Sequence, residues 1–105
     1  MSALPTEFQI TTTDRRLVVS GEVDVHTAPQ LRHAADEVLA RRSDLRLDMS
    51  GVGFIDSSGL GVLVSITEAA RKAGGDLVVV APSRAVVRLL ELSGLTQHIH
   101  VDDHD

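Results

Sequence analysis

Phe54-Ile55-Asp56-Ser57-Ser58-Gly59-Leu60-Gly61-Val62-Leu63 runs from the end of an apolar segment into a helix. Before it, Leu45, Leu47 and Met49 alternate with Arg46 and Asp48, as in a strand with one buried and one wet face. Strand and loop continue to Ile55. From Ser57 the apolar residues Leu60, Leu63, Ile66, Ala70 and Ala73 recur at helical spacing until Gly74-Gly75 ends the helix. Two glycines in the opening turns, 59 and 61, each cost roughly 1 kcal/mol relative to alanine. Two adjacent hydroxyls sit where helix N–H groups point outward. One reading makes Asp56 or Ser57 a plain N-cap, with the glycines letting the helix approach the sheet. The other makes the helix start a phosphoryl acceptor, since free amides and the positive end of the dipole favour negative charge.

Outward from this stretch the chain alternates strands and helices. Phe8 to Thr13 and Leu17 to Val23 are alternating strands joined by a polar turn, Asp14-Arg15-Arg16. Thr27-Ala28-Pro29-Gln30 has capping-box spacing and predicts a helix through about Arg42, with Leu31, Ala34, Ala35, Val38 and Leu39 on its apolar side. Asp76 to Ala81 is a near-continuous apolar run, expected inside the sheet. Ser83 caps a third helix that Gly94 stops, and Gln97 to Val101 is a last strand before a polar tail, residues 102–105. The order β-β-α-β-α-β-α-β predicts a single α/β domain over residues 1–105, core about 8–101. It carries a mixed sheet of about five strands with helices mainly on one face.

Composition narrows the function. In 105 residues, 15 acidic against 10 basic side chains give a formal charge of −5, the wrong sign for a nucleic-acid or anionic-membrane footprint. Only Phe8 and Phe54 are aromatic, so a base-stacking surface is missing. With no cysteine there is no thiol catalysis, disulfide framework or Cys-based zinc site. Met1 to Glu7 has neither a basic start nor an apolar core, and no apolar run approaches the roughly 20 residues that span a bilayer. A cytoplasmic location is expected.

The motifs together resemble those of the STAS (sulfate transporter and anti-sigma factor antagonist) domain family, over about Phe8 to Val101. They are Gly21-Glu22-Val23-Asp24 with Thr27-Ala28-Pro29, Leu47 to Val52, Phe54 to Leu63, Gly74-Gly75, and Leu90 through Ser93-Gly94-Leu95. The resemblance implies a STAS-like fold and an anti-sigma factor antagonist whose phosphoacceptor, the serine directly after the aspartate, is Ser57. It implies partner switching. The unphosphorylated protein binds an anti-sigma factor of histidine-kinase-like ATPase fold and frees a sigma factor. That partner phosphorylates Ser57 with ATP, and a PP2C-type phosphatase restores the binding form. The expected docking surface comprises Asp24, His26, Thr27, Asp56, Ser58, Gly59, Gly61, Val62 and Ser65, with Val62 off the core stripe and exposed. The alternative is a non-phosphorylated subunit of a transporter or signalling scaffold. Two departures stand out: family members usually continue into another helix past the last strand, whereas this chain stops at Asp105, and Gly53 stands where a polar residue is commoner.

Other patterns carry less. His98, His100, Asp102 and His104 alternate, but Asp103 breaks a metal-ligand spacing. His26 and His33 lack a G-x-S-x-G serine to serve, and Gly51-x-Gly53 and Gly59-x-Gly61 lack the third glycine of a dinucleotide loop. No catalytic residue, metal or cofactor is expected.

Overall fold

The long strand Leu45–Ile55 (β3) organises the molecule, and its two halves have different neighbours. In the computed structural model, which describes residues 7–13 and 16–103, five strands lie in the order β1-β2-β3-β4-β5. They are β1 (Gln9–Thr13), β2 (Arg16–Val23), β3, β4 (Leu77–Val80) and β5 (His100–Asp102). β1 is antiparallel to β2, and every other pairing is parallel. Between them run α1 (Ala28–Leu39), α2 (Ser57–Lys72) and α3 (Arg84–Ser93).

The first half of β3 is a ladder between two strands, with Leu47 paired to Leu17 on one side and to Val79 on the other. Alternation does the rest: Leu17, Val19 and Val23 of β2, Leu45, Leu47 and Met49 of β3, and Leu77 and Val79 of β4 are buried. They form one aliphatic core with Leu31, Ala35 and Val38 of α1, Leu63 and Ile66 of α2, and Val86 and Leu90 of α3. The opposite face carries half-buried Val18, Arg46, Asp48 and Val78, so the helices lie mainly on one side, as expected. Arg46 spans that face to Asp102 at 3.3 Å.

The second half of β3 has lost its β4 neighbour. The register slips twice against β2, between Val18 and Ser20 and between Gly21 and Glu22, where β3 carries an extra residue each time. At the first slip Asp48 Oδ1 accepts from the Ser50 amide and hydroxyl, at 2.9 and 2.8 Å. On the side where β4 has ended, the Ser83 amide donates to the Met49 carbonyl at 3.2 Å and α3 packs along β3.

Local signals held where their partners are local. Ser83 Oγ accepts from the Val86 amide, Gly94 takes a left-handed conformation (φ 76°) after α3, and the Gly75 amide closes α2 onto the Ala70 carbonyl. Three expectations need correction. First, α1 ends at Leu39 rather than near Arg42. Second, the last strand is His100–Asp102, because Leu95–Gln97 form a 3-10 turn that lets Ile99 reach the core, and Asp102 therefore pairs with Val80 instead of opening a tail. Third, Arg16 is in β2, not in the turn. Residues 1–6, Asp14, Arg15, His104 and Asp105, which figure in the expected N-terminal segment, turn and tail, lie outside the described residues.

Candidate functional site

Two helix starts meet at one end of the sheet, α1 after β2 and α2 after β3. The link is short: the Asp56 amide donates to the Val23 carbonyl at 3.2 Å. At α2, Asp56 is extended (φ −114°, ψ −169°) and caps the helix, its Oδ1 accepting from the amides of Ser58 at 2.9 Å and Gly59 at 3.2 Å. The Leu60 amide goes to the Asp56 carbonyl. Asp56 thus takes the first-turn amides that a phosphate would otherwise collect, so the helix start is not an empty anion cradle. Ser57 occupies the first helical position, exposed, and Ser58 is half-buried. Neither hydroxyl makes a hydrogen bond among the described residues.

The two glycines do different work. A Cβ on Gly59 would stand 2.6 Å from Ile55 Cγ1, 2.9 Å from Val23 Cγ1 and 3.0 Å from the Val23 carbonyl, so glycine there lets α2 seat on the ends of β2 and β3. Gly61 is exposed and a Cβ there would touch nothing within 4 Å.

At α1 the expected capping box does not form. Thr27 is helical in conformation (φ −99°, ψ −21°) and its side chain caps nothing in α1. Its hydroxyl turns back to donate to the Glu22 carbonyl at 2.8 Å and accepts from the Asp24 amide at 2.9 Å. Asp24 Oδ1 in turn accepts from the amides of His26 (2.9 Å) and Thr27 (3.1 Å). Burial pushes the Asp24 carboxyl up, but those two amides, the Thr27 hydroxyl and the nearby His26 outweigh it and hold Asp24 below its ordinary 3.8. The loop Asp24–Thr27 is therefore cross-tied, and it presents Val25 outward, 62% exposed, with exposed His26 beside it. Val25 was missed in the sequence; its signal was a lone apolar residue between two polar ones in a turn.

The structure gathers Asp24, His26, Thr27, Asp56, Ser57 and Ser58 at one end, with Gly61 exposed and Ser65 half-buried along α2. It removes two residues from the expected docking surface. Val62 is only 9% exposed and belongs to the core cluster, and Gly59 is buried beneath the helix. The buried side of α2 is wider than the expected stripe: Gly59, Val62, Leu63, Ile66, Thr67 and Ala70 are inside, while Leu60 is half-buried and Ala73 exposed. Thr67 tolerates burial by donating to the Leu63 carbonyl at 2.8 Å. His98 and His100 collect no metal set: His100 faces Asp76 at 3.7 Å, and no group of three metal-ligating side chains occurs among the described residues.

A family model, the STAS domain, matches residues 7–104. The chain belongs to the STAS domain family. An anti-sigma-B factor antagonist of Bacillus subtilis is 34% identical over 88 residues, which cover 84% of this chain and 81% of that protein. A crystal structure of an anti-sigma factor antagonist from Mycobacterium paratuberculosis superposes with a TM-score of 0.73 at 34% identity, covering 91% of this chain and 84% of that one. The Bacillus cell-fate determinant SpoIIAA in its phosphorylated form shares the fold, with a TM-score of 0.66 at 22% identity over 90% of each chain. Among the described residues of this STAS domain, no helix is long and apolar enough to cross a membrane.

Proposed function

We propose that this STAS domain is an anti-sigma factor antagonist, a cytoplasmic regulatory binding protein rather than an enzyme, and that Ser57 is its switch. One observation carries the reading: Asp56 has taken over the capping of α2, which leaves the exposed Ser57 hydroxyl with no structural task. A protein kinase can then transfer the γ-phosphoryl group of ATP to Ser57 Oγ, with loss of the hydroxyl proton and release of ADP, without dismantling the fold. The phosphate adds about −1.5 to −2 charges directly beside the Asp56 carboxylate. Because Asp56 already holds the Ser58 and Gly59 amides, the added charge stays on the surface instead of being absorbed by the helix end. A partner docked over Ser57, Ser58, Gly61 and the Asp24–Thr27 loop would have to desolvate both charges, so phosphorylation releases it. The partner implied is an anti-sigma factor that is itself the serine kinase, with a PP2C-type phosphatase resetting the switch.

The test is incubation of the purified protein with its anti-sigma kinase and ATP, followed by mass spectrometry and titration calorimetry. Phosphate on Ser57, with binding kept by Ser57→Ala and weakened by Ser57→Asp, is the expected result. Phosphate only on Ser58, or none, overturns the assignment of Ser57. A chain that binds no anti-sigma factor in any form would instead belong to a transporter or scaffold.

A further inference from the structure

Phe54, one of only two aromatic residues in the chain, is 47% exposed, and Leu92 is 78% exposed. Both line a single groove of about 220 Å³ together with Gly53, Ala85, Arg88 and Leu89. Its geometry follows from β3. Ile55 pairs with Val23 and both face the core, so Phe54, paired with Glu22, faces the other side of the sheet. Where β4 has ended, α3 lies along this half of β3. Val86 and Leu90 of α3 point inward, while Ala85, Leu89 and Leu92 recur at i, i+4 and i+7 as a second apolar stripe. Large exposed apolar side chains gathered on one surface mark contact sites.

The charges around the stripe say what it contacts. Arg84 and Arg88 are exposed; Arg84 opens α3 at the positive end of the helix dipole, Arg88 follows one turn on, and the first turn holds no acidic residue. Neither forms an ion pair among the described residues, whereas Arg32, Arg46 and Arg71 pair with Asp36, Asp102 and Asp76. Glu91, one turn from Arg88, does not pair with it either. Two exposed arginines without an ion-pair partner among the described residues leave a local positive patch beside the apolar stripe of a chain whose net charge is −5, and such a patch complements carboxylates.

We propose that this groove docks an amphipathic helix of a protein partner, its apolar residues seated on Phe54, Leu89 and Leu92 and its flanking carboxylates on Arg84 and Arg88. A second copy of this chain fits less well. In a two-fold contact the same patch meets itself, with Arg84, Arg88 and Glu91 on each side, so a second copy brings fewer carboxylates than cations to the contact. The inference does not depend on the role of Ser57, since the groove is built from β3 and α3 alone.

The probe is a synthetic helical peptide with leucines at i, i+4 and i+7 flanked by glutamates, titrated into the isotope-labelled full chain and followed by NMR. A matched peptide with lysines in place of the glutamates is the control. Shifts localised to residues 53–54 and 84–92, with the acidic peptide binding about tenfold or more tightly and more weakly as salt rises, are expected. Leu92→Ser should cost about tenfold in affinity, and Arg88→Glu should reverse the preference between the peptides. Both positions are exposed, so both variants should keep the wild-type spectrum elsewhere. Equal binding of the two peptides, shifts away from the groove, or no binding overturns the proposal. So does self-association in sedimentation velocity that Leu92→Ser abolishes.

Discussion

The two helix starts at the site end of the sheet solve one problem in opposite ways. At α1 the hydroxyl is consumed: Thr27 Oγ1 ties the Asp24 amide to the Glu22 carbonyl, and Asp24 ties the loop. At α2 the carboxylate does the capping alone, and the adjacent hydroxyl of Ser57 is left unused. A hydroxyl with a structural bond cannot be modified without loosening the loop that holds it. One without such a bond can change state while the fold stands, and this separates a scaffold threonine from the serine proposed as the switch.

The largest expected effect lies one turn into α2. Val62→Glu places a carboxylate in the aliphatic core and should cost about 3–5 kcal/mol, enough to unfold much of a small domain. Circular dichroism would show it. A folded Val62→Glu protein would mean that α2 is rotated relative to the arrangement described.

Next come the glycines. Gly59→Ala should destabilise by about 1–3 kcal/mol, since its Cβ meets the Val23 carbonyl as well as two side chains. Gly61→Ala, in an exposed helical position with open space, should stabilise by up to about 1 kcal/mol. Denaturant titration of the pair decides whether close seating of α2 or mere flexibility explains the two glycines; equal effects would remove the distinction.

Smaller again is the pair that defines the comparison. Asp56→Ala should lose about 1 kcal/mol with the cap, while Ser57→Ala should change stability by less than about 0.5 kcal/mol. If Ser57→Ala destabilised as much as Asp56→Ala, the Ser57 hydroxyl would be structural after all.

The smallest effect is read against pH. The folded state lowers the Asp24 carboxyl, so protons bind it more weakly folded than unfolded. The stability it contributes is fully present above its ordinary 3.8 and is lost as pH falls through the lower folded value. The melting-temperature gap between wild type and Asp24→Asn should be flat near neutrality and close in acid. A gap that widens in acid would reverse the assigned direction.

Much of this was legible in the sequence because the deciding interactions are local. The caps Ser83 and Gly94 act within their own helix turns, and the alternation of Leu45, Leu47 and Met49 needs no knowledge of what covers it. Thr27 failed as a cap because its hydroxyl accepts from the Asp24 amide and donates to the Glu22 carbonyl instead of accepting from the helix amides, and the capping-box spacing carries no trace of those partners. Val62 was placed outside because a stripe anchored on Leu60 and Leu63 is one position out of phase with the true buried side, which Gly59 sets by lying under the helix. The placement of Ser57 at the start of α2 is independent of that error, since it depends on Asp56 and on the strand end rather than on the helix phase.

The strand order β1-β2-β3-β4-β5 is also the order of the chain. Parallel sheets usually assemble slowly because their pairings join distant segments, yet here each strand pairs with the one made just before it. A nascent chain can therefore build this sheet in the direction of translation, each crossover closing onto a finished edge, without waiting for its C-terminus. The last and shortest strand, β5, then docks last. A released chain truncated before His100 would present a nearly complete sheet with the edge of β4 uncovered, a species prone to pairing with other chains.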